Sequence, residues 1–203
     1  HAGWYGKPEQ CRVTVAPLQQ LSSALAATED LVAGVETEQW SAPTPCAGWD
    51  VADLVRHVVN GNHLFARALS GQPADPPAGS MTPTEALLAA YREGADELLV
   101  AFSQPGALDK TVTVPFGTVP GQVALHLRIT ELLVHGWDLA KATGAPGRFP
   151  EDVAEAELAF SAPLLGRIPP DRNPFAPPQA VPDDAPAIDR LAGLLGRGVG
   201  SES

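Results

Sequence analysis

Four stretches of this chain return to an apolar residue every three or four positions over roughly five turns each, and such a stripe is stable in water only when pressed against another helix. The first runs from Pro17 to about Val35 through Leu18, Leu21, Leu25 and Val32, with Pro17 suited to an opening turn. The second is capped by Asp50, carries Val51, Leu54, Val55, Val58, Leu64, Phe65 and Leu69, and stops at Gly71. A capping box of Thr82 and Glu85 around Pro83 opens the third, which continues through Leu87, Leu88, Tyr91, Ala95, Leu98, Leu99 and Phe102. The fourth covers about Gly121 to Thr143, through Val123, Leu127, Leu133 and Leu139, with Gly144 as its stop. Burying four such stripes on one another predicts an all-α fold built on a four-helix bundle.

The remaining segments are shorter. Thr111-Val112-Thr113-Val114-Pro115-Phe116-Gly117 favours extended chain, so a short hairpin or ordered loop is expected before the fourth helix. Two further helices, roughly Glu151 to Leu165 and Pro186 to Leu195, are expected to pack outside the bundle, separated by the Pro-rich stretch 169–182. Residues 1–14 lack a starting Met and helical periodicity; they are read as an arm or appended residues, and 15–203 as one domain.

A net charge of −11 repels polyanions, so nucleic acid is not an expected partner. No apolar run reaches the ~20 residues that span a bilayer, and the cytoplasm is the default address. The two cysteines, Cys11 and Cys46, make no disulfide framework and are read as thiols.

The chemistry concentrates on the second and fourth helices. Glu131 and His135 lie four apart, one turn above the other on one face, and can reach a single ion. His57 lies four residues before Gly61 and eight before Phe65, on or beside the buried stripe, whereas Arg56, Asn60, His63 and Arg67 mark a solvated face. Facing stripes would bring His57 towards Glu131 and His135, giving two imidazoles and a carboxylate with coordination positions left for water or substrate. The spacing leaves a second reading open: an inward His is often a hydrogen-bonded core residue, and a Glu–His pair at helical spacing arises by chance.

At these residues the chain resembles the DinB-like, mycothiol-dependent maleylpyruvate isomerase family. Pro43-Thr44-Pro45-Cys46-Ala47-Gly48-Trp49-Asp50-Val51, followed by Asp53-Leu54-Val55 and His57, is similar to the family's first signature. Glu131-Leu132-Leu133-Val134-His135-Gly136-Trp137-Asp138-Leu139-Ala140 is similar to its second, and the likeness runs from about Val15 to Gly196. Phe175 and Pro182-Asp183-Asp184-Ala185-Pro186 resemble the single-domain actinobacterial branch. The resemblance implies a DinB-like four-helix bundle, a metal site at His57, Glu131 and His135, and activation of mycothiol at a divalent ion. Two imidazoles and a carboxylate accept zinc, the first expectation, and equally nickel or iron(II). The two-domain isomerases add a carboxy-terminal domain that contributes to the substrate site. This chain stops where that domain would begin, so a thiol transferase or isomerase acting on a small electrophile is expected rather than isomerisation of maleylpyruvate itself.

Several neighbours carry smaller expectations, and no catalytic residue beyond the ligands is assigned. Asp138, one turn past His135, either orients an imidazole or faces solvent. Arg128 shares a face with Glu131 and His135, where it binds an anionic substrate, pairs with Glu131, or makes an ordinary surface ion pair, the last being the expectation. Asn60 lines the pocket only if the second helix rotates slightly. Trp49 and Trp137 are read as packing, Cys46 as a structural rather than reactive thiol, and His63 and His126 as without a role. Two other functions compete: a thiol-independent Lewis-acid enzyme of a specialised pathway, and a non-catalytic bundle that binds a metal or small ligand.

Overall fold

The computed structural model describes residues 9–73 and 82–200, with the side chains of 9–16 outside that description. Helices α1 (Glu9–Ala33), α2 (Val51–Leu69), α3 (Leu87–Ser103) and α4 (Gly121–Thr143) form the bundle, α1 packing on α3 and α4, and α2 on the same two. Their stripes meet in one core that includes Leu21, Leu25, Leu54, Val58, Leu98, Ile129 and Leu133. Tyr91 is fully buried in it and donates its hydroxyl proton to the Leu25 carbonyl (2.8 Å), which joins α3 to α1. Among the described residues no helix is long and apolar enough to cross a membrane.

Strands β1 (Thr111–Val114) and β2 (Gly117–Pro120) form the expected hairpin, antiparallel with Thr111 opposite Pro120 and Val114 opposite Gly117. Val112 and Val114 are buried, and the hairpin lies against α2 and α4. Helix α5 (Glu151–Leu165) packs on α4, and α6 (Ala187–Leu194) packs on both.

Two local expectations are corrected. Pro17 lies inside α1, which begins at Glu9 rather than at Pro17, so residues 9–14 are helical; residues 1–8 lie outside the described residues. A proline's fixed φ is helical, and its ring forfeits a single backbone bond. The capping box of Thr82 and Glu85 does not form. Pro83 instead leads extended chain into a 3₁₀ turn at Thr84–Ala86 with no side-chain cap, and the Thr82 carbonyl accepts from Arg56 Nε (3.0 Å).

Candidate metal centre

The loop before α2 does the local positioning. Thr44 is bonded to the Trp49 carbonyl through both its backbone N–H (3.2 Å) and its hydroxyl (2.9 Å), and Trp49 N–H returns to the Cys46 carbonyl (3.1 Å). Gly48 sits at φ 82°, a conformation that other residues reach only with strain. Asp50 then caps α2 by accepting from the Asp53 N–H (2.8 Å). The result sets the Trp49 ring 4.8 Å from the His57 ring and 6.5 Å from that of His135. Trp49 was read as packing; it forms one wall of the centre.

His57 of α2 and Glu131 and His135 of α4 offer ligand atoms that all lie within 4.8 Å of one another. His57 Nε2 is 3.8 Å from Glu131 Oε2, and the two imidazoles meet edge to face at 4.8 Å. Donors bound at about 2.1 Å around one tetrahedral ion stand somewhat over 3 Å apart, so the triad is near that spacing. Burial, the neighbouring His135 and, more weakly, Arg128 outweigh Glu131 and push the His57 pKa down to about 4. His57 is therefore neutral at pH 7, with a lone pair to give.

Asp138 is fully buried behind His135, not exposed to solvent at a helix end. His135 Nδ1–H donates to its Oδ2 (3.2 Å), which leaves Nε2 as the ring's ligand atom. Burial alone would raise the Asp138 pKa, but the bonds from His135 and Arg197 hold it below the usual carboxylate range. Arg197 Nη2 donates to Oδ2 (2.8 Å) and Nε to Oδ1 (3.2 Å). Sequence reasoning missed Arg197: it follows α6, in no periodic pattern, with nothing local to mark it.

Cys46, His135 and Asp138 form a second group of potential ligands. Arg197 already balances the Asp138 charge, and the Cys46 thiol donates to Oδ2 (3.2 Å), so this group is a closed hydrogen-bond network. Burial, followed by the Asp138 charge, pushes the Cys46 pKa up to about 12. Thiolate is the nucleophilic form, and alkylation of Cys46 at pH 8 should run roughly three orders of magnitude slower than that of an ordinary thiol. Iodoacetamide kinetics followed by mass spectrometry check this; labelling at the rate of a free peptide cysteine refutes it.

Arg128 corrects the expectation of a surface ion pair. It is 1% exposed, between α2 and α4, with Nε donating to Asn62 Oδ1 (3.1 Å), Nη2 to the Val58 carbonyl (3.1 Å) and Nη1 to Glu131 Oε2 (3.4 Å). Gly61 makes the room: a Cβ there would meet the guanidinium carbon at 2.7 Å. Asn60 is half-buried on α2 and lines neither of the clefts described below. The face of α2 expected in solvent partly meets α3, where His63 pairs with Glu97 (2.8 Å). His126 bonds the fully buried Glu157 of α5 (2.8 Å), and Trp137 donates to Asp189 of α6 (2.9 Å).

Two clefts adjoin the triad. One, of about 480 Å³, lies between α4, α5 and the hairpin and has Glu131 in its wall. The other, of about 750 Å³, opens on Trp49 and His135 and carries Lys141 and Arg197.

The sequence profile of the mycothiol maleylpyruvate isomerase N-terminal domain matches residues 21–140, which span both signature stretches and all three triad residues. The chain belongs to this family. Among relatives, an uncharacterized protein of Mycobacterium tuberculosis is 38% identical over 184 residues, covering 90% of this chain and 98% of the relative; it is Rv0738 in strain ATCC 25618 / H37Rv and MT0763 in strain CDC 1551 / Oshkosh. Among solved structures, a mycothiol-dependent maleylpyruvate isomerase superposes with a TM-score of 0.60 at 22% identity, over 73% of this chain and 68% of that one. A DinB-like protein from Bacillus subtilis gives 0.53 at 18% identity, over 66% and 95%. At these identities the structural likeness establishes the fold alone, which is DinB-like.

Proposed function

We propose that this protein is a divalent-metal-dependent enzyme that activates a low-molecular-weight thiol, mycothiol, for transfer or isomerisation on a small electrophile. The observation that carries the reading is the convergence of two imidazoles and a carboxylate within 4.8 Å, between two clefts. The names of the family and of its solved neighbour supply the thiol. The donor set suits zinc, nickel or iron(II).

The charge balance of the surroundings supports the same chemistry. Glu131 is paired with Arg128, and Asp138 with Arg197, so the two carboxylates are compensated before any ion arrives. An ion held by His57, Glu131 and His135 would supply a positive charge that favours a bound thiolate over a thiol at neutral pH. Asp138 keeps the His135 proton on Nδ1, and the Trp49 ring lies against both imidazoles. The cleft with Lys141 and Arg197 is the polar seat for the thiol. Addition of a thiol to an activated double bond forms the C–S bond, and the thiol's own proton goes to the adjacent carbon, so no further reactant is needed.

Cobalt substitution tests the reading, because sulfur coordination to cobalt gives an intense near-ultraviolet charge-transfer band. Adding mycothiol to the cobalt form should produce the band and release a proton, and a chain with Cys11 and Cys46 both replaced by Ser should still produce it. A carbonyl ligand that perturbs the cobalt spectrum where thiol gives no band would replace this reading with the Lewis-acid one.

A further inference from the structure

The 480 Å³ cleft on the Glu131 side has a chemistry that neither the triad nor the family name explains. Its wall follows one face of α4 through Val123 and Leu127, meets Leu164 and Leu165 of α5, and is flanked by Phe116 at the hairpin turn and Phe175 in the Pro-rich stretch. Phe116 is one of two large apolar side chains that stand exposed among the described residues. An exposed aromatic at the rim of an apolar cleft is what a ligand would cover.

The polar groups of the wall are few and already engaged. Thr130 donates its hydroxyl proton to the buried Glu157 (3.0 Å), and Ser161 Oγ lies 3.5 Å from the Thr130 hydroxyl. Glu131 faces the cleft from the metal centre, and the only cation in the lining is Arg172, exposed on a 3₁₀ turn. Glu131 is already paired with Arg128 and Glu157 with His126, so a dicarboxylate entering the apolar body of this cleft would lose its hydration with Arg172 alone in the lining to replace it. The volume is that of a small-ligand pocket rather than a groove for a helix.

We propose that the cleft seats the electrophilic cosubstrate, and that this cosubstrate is a neutral, hydrophobic molecule of about one or two rings rather than a small dicarboxylate. The inference rests on the thiol-activation reading for the role of the occupant, but the affinity of the cleft for neutral rings stands without it. Phe116 and Phe175 would close over the apolar body, and its reactive carbon would lie at the Glu131 end, beside the triad.

The test uses the full chain and two probes of one shape, naphthalene and naphthalene-2,6-dicarboxylate, with binding measured by ligand-detected NMR before and after metal loading. Naphthalene is expected to bind at least about tenfold more tightly than the dianion with or without metal, and Val123→Gln and Leu164→Gln should each weaken it about tenfold. Both positions are half-buried, and circular dichroism confirms folding; Phe116→Ala, at an exposed position, supplies a third variant that should also weaken binding. Tighter binding of the dianion, or naphthalene binding indifferent to all three substitutions, overturns the proposal. A protein that takes up metal and gives the cobalt–thiol band but binds no naphthalene loses this proposal and keeps the thiol reading. Naphthalene binding in a protein that takes up no metal does the reverse.

Discussion

Replacement of His57 by Ala is expected to leave the purified protein with less than about a tenth of the divalent metal carried by the parent chain. Each ligand of a three-ligand site carries a large share of the affinity, and α2 contributes this one alone. Glu131→Ala and His135→Ala should behave alike. Asp138→Asn touches no ligand atom but loosens the His135 ring and its tautomer, so it should lower affinity by about 10–100-fold. Elemental analysis and titration calorimetry give these values. Helical circular dichroism should persist in all four variants, since the core of four helices does not depend on the ion. Full metal occupancy in His57→Ala would remove α2 from the centre and end the assignment.

Arg128→Ala is expected to cost about 3–5 kcal/mol of folding stability, the usual penalty for removing one partner of a buried ion pair. It would strand the Asn62 and Val58 acceptors as well as Glu131. For a domain of this size the loss corresponds to a fall in melting temperature of roughly 6–20 °C. Arg128→Lys should rescue little, because one ammonium cannot reach three acceptors in a planar fork. Gly61→Ala should destabilise from the other side, by driving a methyl group into the guanidinium. Melting in chelator separates these effects from metal binding. A shift below about 2 °C for Arg128→Ala would show that the pair contributes little.

The bundle was legible because its determinants are periodic. Leu54, Val58 and Phe65 recur at helical spacing and are buried as that spacing requires, while of the stripe read on α4 Leu133 and Leu139 are buried and Val123 and Leu127, half-buried, line a cleft. Glu131 and His135 were legible for the same reason, and His57 because the stripe of α2 faces that of α4. The misreadings lie where a distant part of the chain overrides a local signal. Thr82 and Glu85 match a capping pattern, but Pro83 leads into an uncapped 3₁₀ turn there while Arg56 of α2 bonds the Thr82 carbonyl. Arg128 looked like one more helix-surface cation, since nothing beside it reveals the hollow at Gly61. That glycine was itself a clue: in mid-helix it sacrifices about 1 kcal/mol relative to Ala, which suggests that something large needs the space. Arg197 offered no clue, because its partner Asp138 lies far back along the chain.

That long reach also bears on how the protein matures during synthesis. The three residues of the triad have all emerged once α4 is made, yet the group that steadies the carboxylate behind His135 lies beyond α6. A nascent chain with α1 to α4 in place therefore has the ligands without the brace, and its His135 ring is held by an uncompensated Asp138. The Asp138 carboxylate gains its Arg197 partner only when the last residues dock against α4.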